Sequence, residues 1–115
     1  MQKFFLKIVL FLMVFHVAYA YDHCPDLAAH EDYSQWTVLS GPISGQEQFY
    51  MVLTRGTPGF TAVTLCKYDS GNVTLYRLGR ALPINPMIWR TFFYNTLDYN
   101  SCGLSPNDCG FNLVS

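Results

Sequence analysis

Cys24, Cys66, Cys102 and Cys109 are the four cysteines of this 115-residue chain, and all of them follow an export signal. Lys3 and Lys7 give a short basic start. Ile8 to Phe15 is an unbroken apolar run, and Ala18 and Ala20 put small residues where a signal peptidase reads. This three-part pattern predicts a cleavable signal peptide over residues 1–20 and a secreted, extracellular β-domain over 21–115. A membrane-spanning helix needs about 20 apolar residues. The run here is shorter and His16 interrupts its end, so no membrane attachment is expected after cleavage.

Cleavage would leave 115 − 20 = 95 residues, enough for one domain. A core of that size is marginal by itself. An even number of cysteines in an exported chain reads as two disulfides. Three pairings are possible, and spacing does not select one. There is no Cys-x-x-Cys pair, and the only histidines after the signal are His23 and His30. Neither a metal site nor a cofactor is expected.

From Tyr33 onward, short β-branched and aromatic runs alternate with Gly, Pro, Asn, Asp and Ser, the mark of successive strands and turns. Candidate strands cover 33–39, 47–55, 60–68, 73–78, 87–96 and a short 111–114. Gly56 to Gly59 and Asp69 to Asn72 read as turns. Pro83 and Pro86 mark a bend. The short links predict an antiparallel meander of about five to six strands. In the third strand Phe60, Ala62, Thr64, Cys66 and Tyr68 share one face, and Thr61, Val63, Leu65 and Lys67 share the other. Neither face is purely polar, so both are expected to be partly covered. The stretch Asp22 to Asp32 holds four of the eight acids. It reads as a solvated arm or a short helical turn around Leu27, Ala28 and Ala29.

After cleavage five cations (Arg55, Lys67, Arg77, Arg80, Arg90) face eight acids (Asp22, Asp26, Glu31, Asp32, Glu47, Asp69, Asp98, Asp108), so 5 − 8 = −3. That balance argues against nucleic acid and anionic membranes as partners. No acid–base constellation suggests catalysis, because both histidines lie in the arm and His30-Glu31-Asp32 lacks the second histidine of a zinc-protease motif. The expectation is a binding protein, not an enzyme. Asn72-Val73-Thr74 is a glycosylation sequon at a turn. The aromatic residues Trp36, Tyr50, Trp89, Phe92 and Tyr94 are candidates for lining an apolar ligand pocket, alongside the ordinary role of such side chains in filling a core.

Several segments resemble the lipocalins, in particular tick salivary proteins of the histamine-binding type. They are the early Trp36, the run Phe49-Tyr50-Met51-Val52-Leu53, Cys66 in the next strand, Leu97-Asp98-Tyr99-Asn100-Ser101-Cys102, and Cys109-Gly110-Phe111. The resemblance implies a small or incomplete barrel, stapled by Cys24–Cys102 and Cys66–Cys109, that carries or scavenges a small apolar or amine ligand. The chain departs from the pattern in its length and in Gln35, where a glycine is expected before the tryptophan. The alternative is a disulfide-stabilised interaction module without a cavity. Such a module would be a host-directed effector or protease inhibitor that meets a host protein through Gly56 to Gly59 or Ala81 to Met87.

Intact-mass analysis of protein secreted from a glycosylating host is expected to give a chain starting at Tyr21, four hydrogens lighter than the reduced form, with a glycan lost in Asn72→Gln. Retention of residues 1–20 in the medium fraction would contradict the signal reading.

Overall fold

The computed structural model describes residues 22–56, 62–94 and 97–114, without the side chains of residues 93, 94 and 97. Eight strands follow in chain order: β1 Thr37–Ser40, β2 Phe49–Arg55, β3 Val63–Tyr68, β4 Val73–Leu78, β5 Arg80–Pro83, β6 Arg90–Tyr94, β7 Leu97–Cys102 and β8 Phe111–Val114. Short 3-10 turns occupy Leu27–Ala29, Asp69–Gly71 and Pro86–Ile88. The fold is mainly β and antiparallel, as the alternation of β-formers and turn residues implies. Among the described residues no helix is long and apolar enough to cross a membrane. The two disulfides are consistent with an extracellular protein.

The meander expectation holds only for β2–β3–β4 and for the β6–β7 hairpin. Six strands form one sheet in the order β1-β4-β3-β2-β7-β6, and β5 pairs with β8 in a separate two-stranded sheet. The order β1-β4-β3-β2 is a Greek key, in which the first strand crosses over to the far side of the hairpin-connected three. Two strands lay outside the expected six. β7 contains Asp98, Asn100 and Ser101, and β5 lies between two breakers, Gly79 and Pro83. The large sheet ends in free edges at β1 and β6, so among the described residues the strands do not close into a barrel.

Opposed side chains in paired strands share a face, which fixes what each side of the sheet presents. The inner row Val38, Leu75, Cys66, Val52 and Cys102 runs across β1, β4, β3, β2 and β7. Leu75, Cys66 and Val52 in it are fully buried. The next inner row, Arg77, Thr64, Thr54, Asn100 and Thr91, is polar. Thr54 and Thr64 bond to one another at 3.0 Å. Thr64 donates to the Gly79 carbonyl at 2.9 Å, and Thr54 accepts the Ala81 amide at 2.9 Å. These bonds dock β5 on the inner face just after β4 leaves the large sheet. The turn falls at Gly79, whose φ of +119° L side chains rarely adopt and where an added Cβ would come within 3.0 Å of the Val114 carbonyl oxygen. β8 follows β5 onto that face and brings in the fully buried Phe111.

The cysteines pair as Cys24–Cys66 and Cys102–Cys109, correcting the Cys24–Cys102 and Cys66–Cys109 pairing that the lipocalin resemblance implies. Cys66 and Cys102 flank Val52 from opposite sides, on β3 and β7. They therefore stand two strand spacings apart, roughly 10 Å, and each takes a nearer partner. The arm lays Cys24 over β3. The loop after β7 turns back on itself, with the Cys109 amide donating to Ser105 at 2.9 Å, and returns Cys109 to Cys102. The arm is therefore not free. Its Leu27–Ala29 turn, one of the two forms expected, is capped by the Asp26 carboxylate, and Asp22 exchanges two backbone bonds of 2.9 Å with Phe111.

Chain-entropy arguments assign about 4 kcal/mol to a bridge spanning 42 residues and about 2 kcal/mol to one spanning 7. Replacing Cys24 and Cys66 together by serine is expected to lower unfolding free energy in urea by more than the Cys102, Cys109 double replacement does. Equal or reversed losses would contradict these pairings.

Candidate functional site

The aromatic candidates divide between the two faces of the sheet. On the inner face Trp36 and Trp89 both stand edge-on to Phe111, at 6.3 and 6.4 Å between ring centres. Trp89 is buried and Trp36 partly so, and the three rings join the arm, the large sheet and β8 into one core. The sequence expects Phe111 in a short last strand and in the Cys109-Gly110-Phe111 segment, not at the centre of the core. Its central place follows from the β5–β8 pairing, which local sequence does not show. Tyr50 and Phe92 are exposed elsewhere. Tyr50 is the extra residue of a bulge between Phe49 and Met51, and Phe92 stacks flat on Tyr99 at 5.2 Å. The structure thus unites Trp36 with Trp89 but not with Tyr50 or Phe92. The Tyr94 side chain lies outside the described residues.

Beside Trp36 the arm and β4 enclose an open pocket of about 310 Å³, lined by Asp22, His23, Pro25, Glu31, Asp32, Gln35, Trp36 and Arg77. The Arg77 guanidinium lies over the Trp36 ring at 5.3 Å, a cation–π contact. Its Nη1 is 3.5 Å from the Asp22 carboxylate, yet this buried nitrogen has no hydrogen-bond partner. Buried donors are seldom left unpaired. The nearby acids are engaged by the arm itself. Glu31 accepts the Asp26 amide at 2.7 Å and faces His23 at 3.3 Å, and Asp32 accepts the Ser34 amide at 3.0 Å. Below them the Tyr68 hydroxyl donates to the Pro25 carbonyl at 2.6 Å. Burial first, and then the charges of Asp26 and Glu31, push its pKa well above the ordinary phenol range, so it stays a donor.

The carboxylates outside the arm have structural partners. Glu47 is 3% exposed and accepts the Ser44 amide at 2.6 Å, the Ser44 hydroxyl at 2.8 Å and the Gly45 amide at 2.9 Å. Asp69 accepts the Gln48 amide at 2.9 Å, and Asp98 meets Arg80 at 3.3 Å. Asn72, the sequon residue, is exposed at the turn before β4, where a glycan has room.

The outer face of the large sheet is different in kind. One row reads Thr37, Tyr76, Leu65, Leu53, Ser101, Arg90, and the next reads Leu78, Val63, Arg55, Tyr99, Phe92. Lys67 and Met51 continue it toward the bulge. The central side chains of this face, Leu53, Val63, Leu65 and Tyr76, are half-buried, Thr74 opposite Lys67 is buried, and Leu78 at the corner is 75% exposed. At one end it runs into a groove of about 560 Å³ that includes Met51, Met87, Arg90 and Leu104, where Met87 is 92% exposed. The alternation of Val63, Leu65 and Lys67 is legible in the sequence, and all three are half-buried, in keeping with the expectation that both faces are partly covered. Against this geometry the comparisons with known proteins are silent: no family model, curated protein or solved structure matches the chain.

The hydrogen bond from the Ser44 amide, with further bonds from the Ser44 hydroxyl and the Gly45 amide, holds the Glu47 pKa at about 2 against an ordinary 4.5, despite the opposing effect of burial. A depressed carboxylate pKa stabilises the fold above the unfolded value, and the gain disappears as pH falls through the folded one. Glu47→Gln is expected to be less stable than the native chain at neutral pH. The difference should shrink between pH 4.5 and 2. Urea titrations across that range check it, and a gap that does not change with pH would contradict the assignment.

Proposed function

We propose that this chain is a secreted, disulfide-stabilised interaction module that recognises a partner protein through the outer face of its six-stranded sheet. The observation that carries the reading is the apolar row of that face, half-buried at Leu53, Val63, Leu65 and Tyr76 and exposed at Leu78 and Phe92. A soluble domain rarely leaves a contiguous apolar patch of this kind without a binding role. Signal cleavage after Ala20 and a glycan on Asn72 belong to the same reading. Asn72 lies in a turn at the sheet end, so a sugar there would leave the face open.

A small-ligand carrier, the lipocalin-type reading, has one specific observation in its favour. The buried Arg77 Nη1, 3.5 Å from the Asp22 carboxylate, has no hydrogen-bond partner in a pocket walled by Trp36 and edged with carboxylates. That setting suits a small zwitterion, its anionic group on Arg77 and its amine toward Asp22. It does not suit a long apolar ligand, which needs an enclosed cavity.

Affinity capture from extracellular fluid with native protein, Leu65→Asp and Ala28→Asp separates the two readings. The native chain and Ala28→Asp are expected to retain one common partner that Leu65→Asp loses. Saturable quenching of tryptophan fluorescence by amino acids or amines, abolished in Arg77→Leu and unaccompanied by any face-dependent partner, would favour the carrier instead.

A further inference from the structure

The exported chain has five cations, and the fold sorts them by face. Arg77 and Arg80 lie on the inner side, each beside a carboxylate, Asp22 and Asp98. Arg55, Lys67 and Arg90 occupy outer-face positions and, among the described residues, form no ion pair. None of the eight carboxylates occupies an outer-face position on a strand. Four belong to the arm, Glu47 and Asp69 to the loops at the start of β2 and after β3, Asp98 to the opposite side of β7, and Asp108 to the loop before Cys109. A chain of net charge −3 after cleavage thus concentrates its unpaired positive charge on the outer side of the large sheet.

The cations surround an apolar centre. Leu53, Val63, Leu65 and Tyr76 are neighbours on β2, β3 and β4. Lys67 stands at one end of this group, Arg55 at the other and Arg90 at the β6 edge. The centre is half-buried while Arg55 and Arg90 are exposed. Strand spacings give the face a plan area of roughly 500 Å², the same order as the ~800 Å² per partner of a standard interface. An apolar middle with a charged rim is the ordinary anatomy of such an interface.

We propose, building on the interaction reading above, that the partner docked here is an acidic protein segment: large apolar side chains seated on Leu53, Leu65 and Tyr76, flanked by Asp or Glu facing Arg55, Lys67 and Arg90. A second copy of this chain does not fit face to face, because three cations would meet three cations with no acid between them. A planar bilayer would meet the long cationic side chains first and leave the recessed leucines short of the hydrocarbon. A protruding apolar anchor between carboxylates reaches both.

The test uses the secreted, disulfide-bonded protein, immobilised and panned against a phage-displayed library of random peptides. Enriched peptides are expected to combine Asp or Glu with Leu, Phe, Tyr or Trp, and to bind more weakly as salt rises. Their affinity should fall about tenfold or more in Arg55→Glu/Lys67→Glu/Arg90→Glu. The milder Arg55→Gln/Lys67→Gln/Arg90→Gln, with its thermal melt and disulfide mass checked, covers the case in which the reversal does not fold. Neutral or basic winners would overturn the acidic chemistry, and acidic winners that bind the triple variants undiminished would overturn the face. Tight binding to heparin or phosphatidylserine vesicles, with no competing peptide, would overturn a protein partner. If no library yields a binder, the interaction reading itself fails.

Discussion

Two threonines hold the architecture together. A strand that leaves a sheet exposes backbone groups that must find new partners, because a buried amide or carbonyl without one costs about 1–3 kcal/mol. β4 leaves the large sheet at Gly79, and the residues after it take up that debt on the inner face. Thr64 donates to the Gly79 carbonyl and Thr54 accepts the Ala81 amide, while the two hydroxyls bond to each other. Valine would match threonine in shape but could make none of these contacts. With the corner satisfied, β5 can pair with β8, Phe111 is set between Trp36 and Trp89, and Asp22 can bond to Phe111. The inner core therefore depends on a polar row, and the sheet's two faces acquire their different characters from it.

The arm repeats the principle from the opposite side. A solvated acidic tail would contribute nothing to a small core. Here Cys24 fixes it to β3, and the Tyr68 hydroxyl binds the Pro25 carbonyl. Its acids then cap its own turn or face Arg77, so negative charge gathers over the inner side. The separation of charge between the faces is thus produced partly by a covalent bond and partly by the Tyr68 hydroxyl's hold on the Pro25 carbonyl.

Much of this was legible in the sequence where local chemistry decides. The alternation through Ala62, Thr64, Cys66 and Tyr68 correctly placed those side chains on one buried face. The turn residues Asp69 to Asn72 correctly ended β3, and Phe111 to Val114 was read as a strand. Long-range pairing was not legible. β7 carries Asp98, Asn100 and Ser101, poor strand formers that are held in place by β2 and β6 on either side. β5 hides behind Gly79 and Pro83, which read as breakers but mark a corner and a strand end. The cysteine pairing followed the same limit, because it depends on which strands flank Val52. Of the site, Lys67 beside Leu65 was visible as a pattern. That Arg55 would join them required the β2–β3 register, and Arg90 the β2–β7–β6 register.

The shorter disulfide bears on the groove in a way its length does not suggest. Gly103 and Leu104, which line the groove with Met51 and Met87, sit just inside the loop closed by Cys102 and Cys109. One wall of the proposed recognition surface is therefore shaped by oxidation. In a reducing compartment that loop would be free to spread, and the groove would lose its boundary at Leu104. Closing that loop needs the oxidising surroundings in which disulfides form and persist.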